Sequence, residues 1–179
     1  MEFLKIMAFS VLAAICYGIL HDQVTAHICV EYFSVAHPPV FPTASPFLLA
    51  LGWGIIATWW VGLPLGFMAA AAARIGPRNR LSFAQVRPMI FRLLIAMAVC
   101  ALVAGALGAG LAVSGNRPLL DGWSQIIPSE KWTAFSADQW AHLASYASGV
   151  IGGLVVTGCI LWQRARGLSP GQSPGQSPS

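Results

Sequence analysis

The stretch MIFRLLIAMAVCALVAGALGAGLAV, residues 89–113, decides the fold class, because its only charge is Arg92, near its start. A helix crosses the hydrocarbon core of a bilayer with about 20 apolar residues. Backbone groups in lipid must pair within their own segment, so a helix is the expected form. Three more stretches qualify. Residues 3–20 are interrupted only by Lys5, residues 47–73 carry no charge, and residues 140–162 are bounded by Trp140 and Trp162. Tryptophans in that position suit the two membrane–water interfaces. The expectation is an all-α integral membrane four-helix bundle, one transmembrane domain over residues 1–166. The repeated SPGQ of residues 167–179 reads as a disordered low-complexity tail. No alternating ten-residue segments of a β-barrel are visible.

Composition agrees. The 179 residues are 56% hydrophobic and 9% charged, whereas a soluble domain is about 25% charged. With a mean hydropathy of +0.68, much of the surface needs lipid as its partner. The net charge of +4 raises the question of a nucleic-acid partner. The basic residues are few and flank apolar runs, without a basic stripe, so no nucleic-acid partner is expected. Their distribution instead sets an orientation. Lys5, Arg74, Arg78, Arg80, Arg87, Arg92, Arg164 and Arg166 fall on one side, and Arg117 and Lys131 on the other. The positive-inside rule then puts both termini and the second loop in the cytoplasm.

Local signals mark the helix starts. Ser45-Pro46 supplies a cap and a proline at the first helical position. Ser82 with Gln85, and Ser136 with Gln139, read as capping boxes opening the third and fourth helices. The second apolar run exceeds the bilayer core, so a tilt or a kink at Pro64 is expected. Residues 1–26 also resemble a signal peptide ending at Val24 and Ala26, although Glu2 offsets Lys5. An uncleaved N-terminus is the preferred reading. Cys16, Cys29, Cys100 and Cys159 form no C-x-x-C pair and read as packing residues.

The polar residues gather on one side of this topology. His21, His27, His37 and His142 lie on the non-cytoplasmic side, with Asp22, Glu31, Asp121, Glu130 and Asp138. If the first helix continues outward, Gln23, His27 and Glu31 share a face, and His21, Thr25 and Cys29 share another. Asp138 and His142 are four apart on the fourth helix. Two such pairs can converge as ligands for a divalent metal such as zinc, with His27, Glu31, Asp138 and His142 as the leading set and His21 and Asp22 as further candidates. The same groups can relay protons, or hold a b-type haem between His21 or His27 and His142. A solvated rim that only steadies the helix starts is the competing explanation. His142, a few residues inside its span, is the one expected to face the protein interior.

Behind His142 run rows of small residues, Ala141-Ser145-Gly149-Gly153-Thr157 and Ala144-Ser148-Gly152. The third span has Ala101-Gly105-Ala109 and Ala104-Gly108. Such rows let helix backbones approach closely, within the chain or against a second copy or another membrane protein. The proline-rich loop of residues 37–46 is expected to be stiff, and the loop of residues 114–137, with Trp123 and Trp132, to cover the bundle end.

The segment YGILHDQVTAHICVEYFSVAHPP, followed by LGWGIIATWWVGLPLG, resembles a group of small uncharacterised bacterial membrane proteins over residues 17–66. That resemblance implies a multi-pass protein of a bacterial inner membrane and lends no role to any residue. No nucleophile–base pair or H-E-x-x-H motif is present. The expected function is therefore a packing or interaction protein of the membrane bearing a polar His/acid cluster. A metal or proton site, and a membrane enzyme or haem protein, are the alternatives.

Overall fold

A computed structural model describes residues 1–115 and 122–167. Arg117, Asp121 and nearly all of the expected tail lie outside the described residues. The elements are α1 (Glu2–Ile28), α2 (Val30–Ser34), α3 (Pro46–Ile56), α4 (Trp59–Arg74), α5 (Phe83–Val113), α6 (Trp123–Ile126), a 3-10 turn (Ser129–Lys131) and α7 (Trp132–Ala165). Among the described residues there is no strand. Four helical segments are long and apolar enough to cross a membrane: Glu2–Ile28, Pro46–Arg74, Phe83–Val113 and Ser129–Ala165. Glu2–Ile28, Pro46–Arg74 and Ser129–Ala165 reach beyond both ends of the apolar runs that announce them, whereas Phe83–Val113 begins before its run and ends with it.

The second segment breaks at Ala57–Thr58, and Pro64 sits inside α4. The interruption thus falls six residues before Pro64, just after Gly52 and Gly54, two residues that weaken a helix by about 1 kcal/mol each. The Thr58 hydroxyl donates to the Gly54 carbonyl, occupying an acceptor at the break. Ser45 precedes Pro46 at the start of α3 as expected, and Ser82 and Gln85 form a capping box on α5. Ser136 opens no helix. α7 begins a turn earlier, and Ser136 faces α5, donating to the Gly108 carbonyl at 2.9 Å.

α1 packs along α3 and α4, α5 packs along α7, and the two pairs meet where α4 touches α7 and α1 touches α5. α1 and α3 cross closely. A Cβ on Gly54 would stand 2.6 Å from the Ile19 backbone, so only glycine permits this approach. The small-residue rows of α5 and α7 are used inside the chain: Ala101, Gly108, Ala141, Ser145, Gly149 and Gly153 are buried.

Both ends of the bundle are densely packed. At the arginine-bearing end, Ile6, Ala70, Ala73, Val86 and Ile160 form a core. Arg164 is buried there, and its guanidinium donates to the carbonyls of Ala72, Ile75, Arg78 and Asn79, closing the C-terminal turn of α4. A cation in that position also suits the helix dipole. Glu2 does the converse, accepting the Phe83 amide at 2.7 Å at the start of α5. At the other end, Ala26, Phe33, Leu49 and Ala50 pack together, beside Cys29, Ile127 and Phe135. The loop containing Trp123 and Trp132 covers this end as expected, with the Trp132 indole donating to the Ile127 carbonyl.

Candidate metal centre between α1 and α7

His142 enters the interior from α7 and meets His21 and Asp22 from α1. Ligand atoms of these three residues all lie within 4.8 Å of one another. His21 and His142 touch edge to face with centroids 4.6 Å apart. Tyr17 stacks on His21 from one turn below, and its hydroxyl shares a 2.6 Å hydrogen bond with Ser145, tying α1 to α7 beneath the cluster.

The hydrogen bonds define the chemistry. The Nδ1 of His142 lies 2.8 Å from the Asp138 carbonyl oxygen. A carbonyl only accepts, so Nδ1 carries the proton and Nε2 presents a lone pair. That lone pair faces Asp22 Oδ1 at 3.3 Å. Two acceptors face each other, and a proton or a metal ion has to lie between them. A charge-assisted hydrogen bond would be about 2.7–2.9 Å long. Two ligand atoms on one tetrahedral zinc, with bonds of about 2.0–2.2 Å, stand about 3.3–3.6 Å apart. The spacing fits two ligands of one ion and also a long hydrogen bond between imidazole and carboxylate. The Nε2 of His21 is buried and has no hydrogen-bond partner among the described residues.

Asp138 lies one turn before His142 and is fully buried. Neither of its carboxyl oxygens has a hydrogen-bond partner among the described residues. The nearby Cys29 amide is committed to the Thr25 carbonyl at 2.9 Å. The Asp138–His142 pair thus meets through the Asp138 backbone carbonyl, and the carboxyl points elsewhere. A backbone carbonyl behind a metal-binding imidazole is the usual way of fixing its tautomer.

The other expected ligands are placed differently. α1 ends at Ile28, and Cys29 is extended at φ −146, ψ 93, so Glu31 does not continue the register of His27. His27 is exposed and its Nδ1 lies 2.7 Å from the Gln23 carbonyl. Glu31 pairs with Lys131 at 2.9 Å. That hydrogen bond holds its carboxyl below the usual glutamate range. The residues brought together that could hold an ion are therefore His21, Asp22 and His142, with the Asp138 carbonyl behind His142, and His27 and Glu31 lie outside this cluster.

The break at Cys29 has its own consequence, since it folds α2 back over the site. Tyr32 then lies against the His142 ring at 4.4 Å, and Phe33 approaches it edge-on at 5.6 Å. His37 stacks on Phe33, with burial pulling its pKa down and its Nδ1 donating to the Tyr32 carbonyl at 2.7 Å. Burial pushes the Cys29 thiol up to about 12, so it remains a thiol, donating to Glu31 at 3.4 Å. Tyr17, Tyr32 and Ser145 were not legible as site residues. The one available hint was that Tyr17 precedes His21 by one helical turn.

Two spaces adjoin the cluster. A cavity of ≈110 Å³ runs between the two helix pairs from Ser10 and Gly66 up to His21, Asp22 and His142, passing the broken helix at Thr58. A larger cleft of ≈470 Å³ lies between α1, α5 and α7, with His21 and Asp138 in its wall. The contact between His21 and His142 leaves no room for a macrocycle between those rings.

No protein-family model, curated protein or solved structure matches the chain.

Proposed function

We propose that this is a multi-pass protein of a bacterial inner membrane whose function centres on a buried divalent-cation site formed by His21, Asp22 and His142, with zinc as the best-suited ion. The 3.3 Å separation of two facing acceptors, His142 Nε2 and Asp22 Oδ1, carries this reading. Two imidazoles and a carboxylate are a donor set typical of zinc sites that keep a fourth position open. Large apolar side chains such as Leu12, Leu63, Leu102 and Ile151 are exposed along all four long helices, which supports a lipid surround. The eight-to-two distribution of Lys and Arg supports cytoplasmic termini, with the site towards the opposite face.

The test is elemental analysis of the full chain purified in detergent without chelator. About one equivalent of metal is expected, lost in His142→Ala and Asp22→Asn and retained in His27→Ala and Glu31→Gln. Acid should release the ion, since protons compete for its ligands. A wild-type protein that remains metal-free after incubation with zinc, cobalt and manganese would show that a proton lies between Asp22 and His142. The site would then be a proton-handling pair.

A further inference from the structure

The loop that joins α4 to α5 is built around the buried side chain of Arg164. The guanidinium donates to the Ile75 carbonyl at 2.8 Å, the Arg78 carbonyl at 3.1 Å and the Asn79 carbonyl at 2.7 Å. In a trans peptide the N–H points away from the carbonyl of the same unit, and no peptide of this loop is cis. Drawing the Arg78 and Asn79 carbonyls inward therefore turns the consecutive amides of Asn79 and Arg80 to the exposed side. Neither amide has a hydrogen-bond partner among the described residues. Adjacent amides turned outward form an anion-binding nest.

Charge points the same way. Eight cations and one acid, Glu2, fall at this end of the bundle. Glu2 is already occupied by Lys5 and the Phe83 amide. Arg78 and Arg80, on either side of Asn79, are exposed and have no acidic partner among the described residues. The end of α7 borders the same loop. Arg166 lies over the Trp162 ring at 4.1 Å, and a Cβ on Gly167 would stand 3.9 Å from the Asn79 side chain. Beside these cations, Ile75 is 62% and Trp162 52% exposed. Guanidinium groups next to an exposed indole suit the layer where lipid phosphates meet acyl chains.

We infer that this loop seats the phosphate of an anionic phospholipid, held by the amides of Asn79 and Arg80 and the guanidinium groups of Arg78, Arg80 and Arg166. The step rests on the proposed membrane setting and is independent of the metal centre. A guanidinium fork matches two phosphate oxygens, which a compact ammonium does not. The unbalanced positive charge repels the ammonium of a zwitterionic head, so the lipid selected carries a net negative charge. A free phosphate ion has no use for the exposed Ile75 and Trp162, whereas a lipid lays its acyl chains against them.

In the test, the full chain in a non-ionic detergent is incubated with equal amounts of dioleoyl phosphatidylglycerol and dioleoyl phosphatidylcholine. It is then repurified and the retained lipid is quantified by mass spectrometry. Phosphatidylglycerol is expected in excess. Arg78→Gln, Arg80→Gln and Arg166→Gln should each lower that excess about fivefold, with the melting temperature in lipid-free detergent unchanged. Lys131→Met, at the opposite end of the bundle, should leave the lipid ratio as in wild type. Washing in phosphate buffer instead of chloride buffer of equal ionic strength should not displace the lipid. Equal retention of the two lipids, an equal loss in Lys131→Met, or displacement by inorganic phosphate would overturn the inference. The two readings fail in different ways. A chain that stays in solution without detergent refutes the membrane setting, and a chain that needs detergent but shows no lipid preference refutes the phosphate seat alone.

Discussion

His21 and Asp22 are neighbours in sequence, and adjacent side chains on a helix diverge by about 100°, so they do not face each other. They serve one site because His142 comes between them, its ring against His21 and its Nε2 against Asp22. Nothing in the periodicity of α1 announces this, whereas the four-residue spacing of His27 and Glu31 looked more promising and led nowhere. Glu31 has a different task, bridging the chain after α1 to Lys131 at the start of α7. Its carboxyl is held below the ordinary value of 4.5, chiefly by the Lys131 hydrogen bond. A depressed carboxylate pKa favours the folded state above the unfolded value, and that gain fades as pH falls through the folded one. Wild type should therefore melt slightly above Lys131→Met at neutral pH, with the difference shrinking as pH falls below the ordinary value of 4.5 and disappearing once the folded carboxyl is protonated. A difference that persists or grows in acid would sink this assignment. The effect is small because both groups are partly exposed.

Among the helices, close approach is decided by which atom a new Cβ would meet. At Gly54 it would meet the Ile19 backbone at 2.6 Å, which cannot yield without separating α1 from α3. At Gly149 and Gly153 it would meet the flexible ends of Met97 and Leu65, and at Gly158 nothing within 4 Å. Gly54→Leu should cost at least about 1–3 kcal/mol, as overpacking does, and Gly158→Leu should be neutral. Thermal melts in detergent compare them directly, and equal melting temperatures would mean that α1 and α3 do not cross here. The composition of these helices shows small residues everywhere. Which rows are pressed against backbone and which against a pliable side chain depends on the crossing geometry. The same holds for the helix break. Pro64 is the residue that the sequence flags, yet α4 accommodates it, and the chain opens at Thr58, whose hydroxyl binds the Gly54 carbonyl.

For the whole molecule, two packed ends enclose a looser middle, and the His21–Asp22–His142 cluster lies where that middle meets the end covered by α2 and Trp132. The proposed orientation places this end outside. In a cysteine-free background, Thr43→Cys should react with an impermeant maleimide added to intact cells, and Asn79→Cys only after lysis. Reaction at position 79 from outside would invert the topology. Intact mass of the extracted protein bears on the site as well, because removal of residues 1–26 would take away His21 and Asp22 and with them the proposed metal site.

Four long apolar helices, the capping box at Ser82 and the proline-led start of α3 were determined by the sequence alone. Each depends on residues within a few positions of one another, and no distant partner is needed to satisfy a helical backbone. The burial of His142 was legible for the same reason, because a polar residue inside an apolar run must turn inward. Its partners were not. Which face of α1 meets α7, where α1 stops, and how α2 folds back over the site are set by contacts such as Tyr17 with Ser145 and Tyr32 with His142. Those join residues more than a hundred positions apart, and only the tertiary structure determines which donors share one point in space.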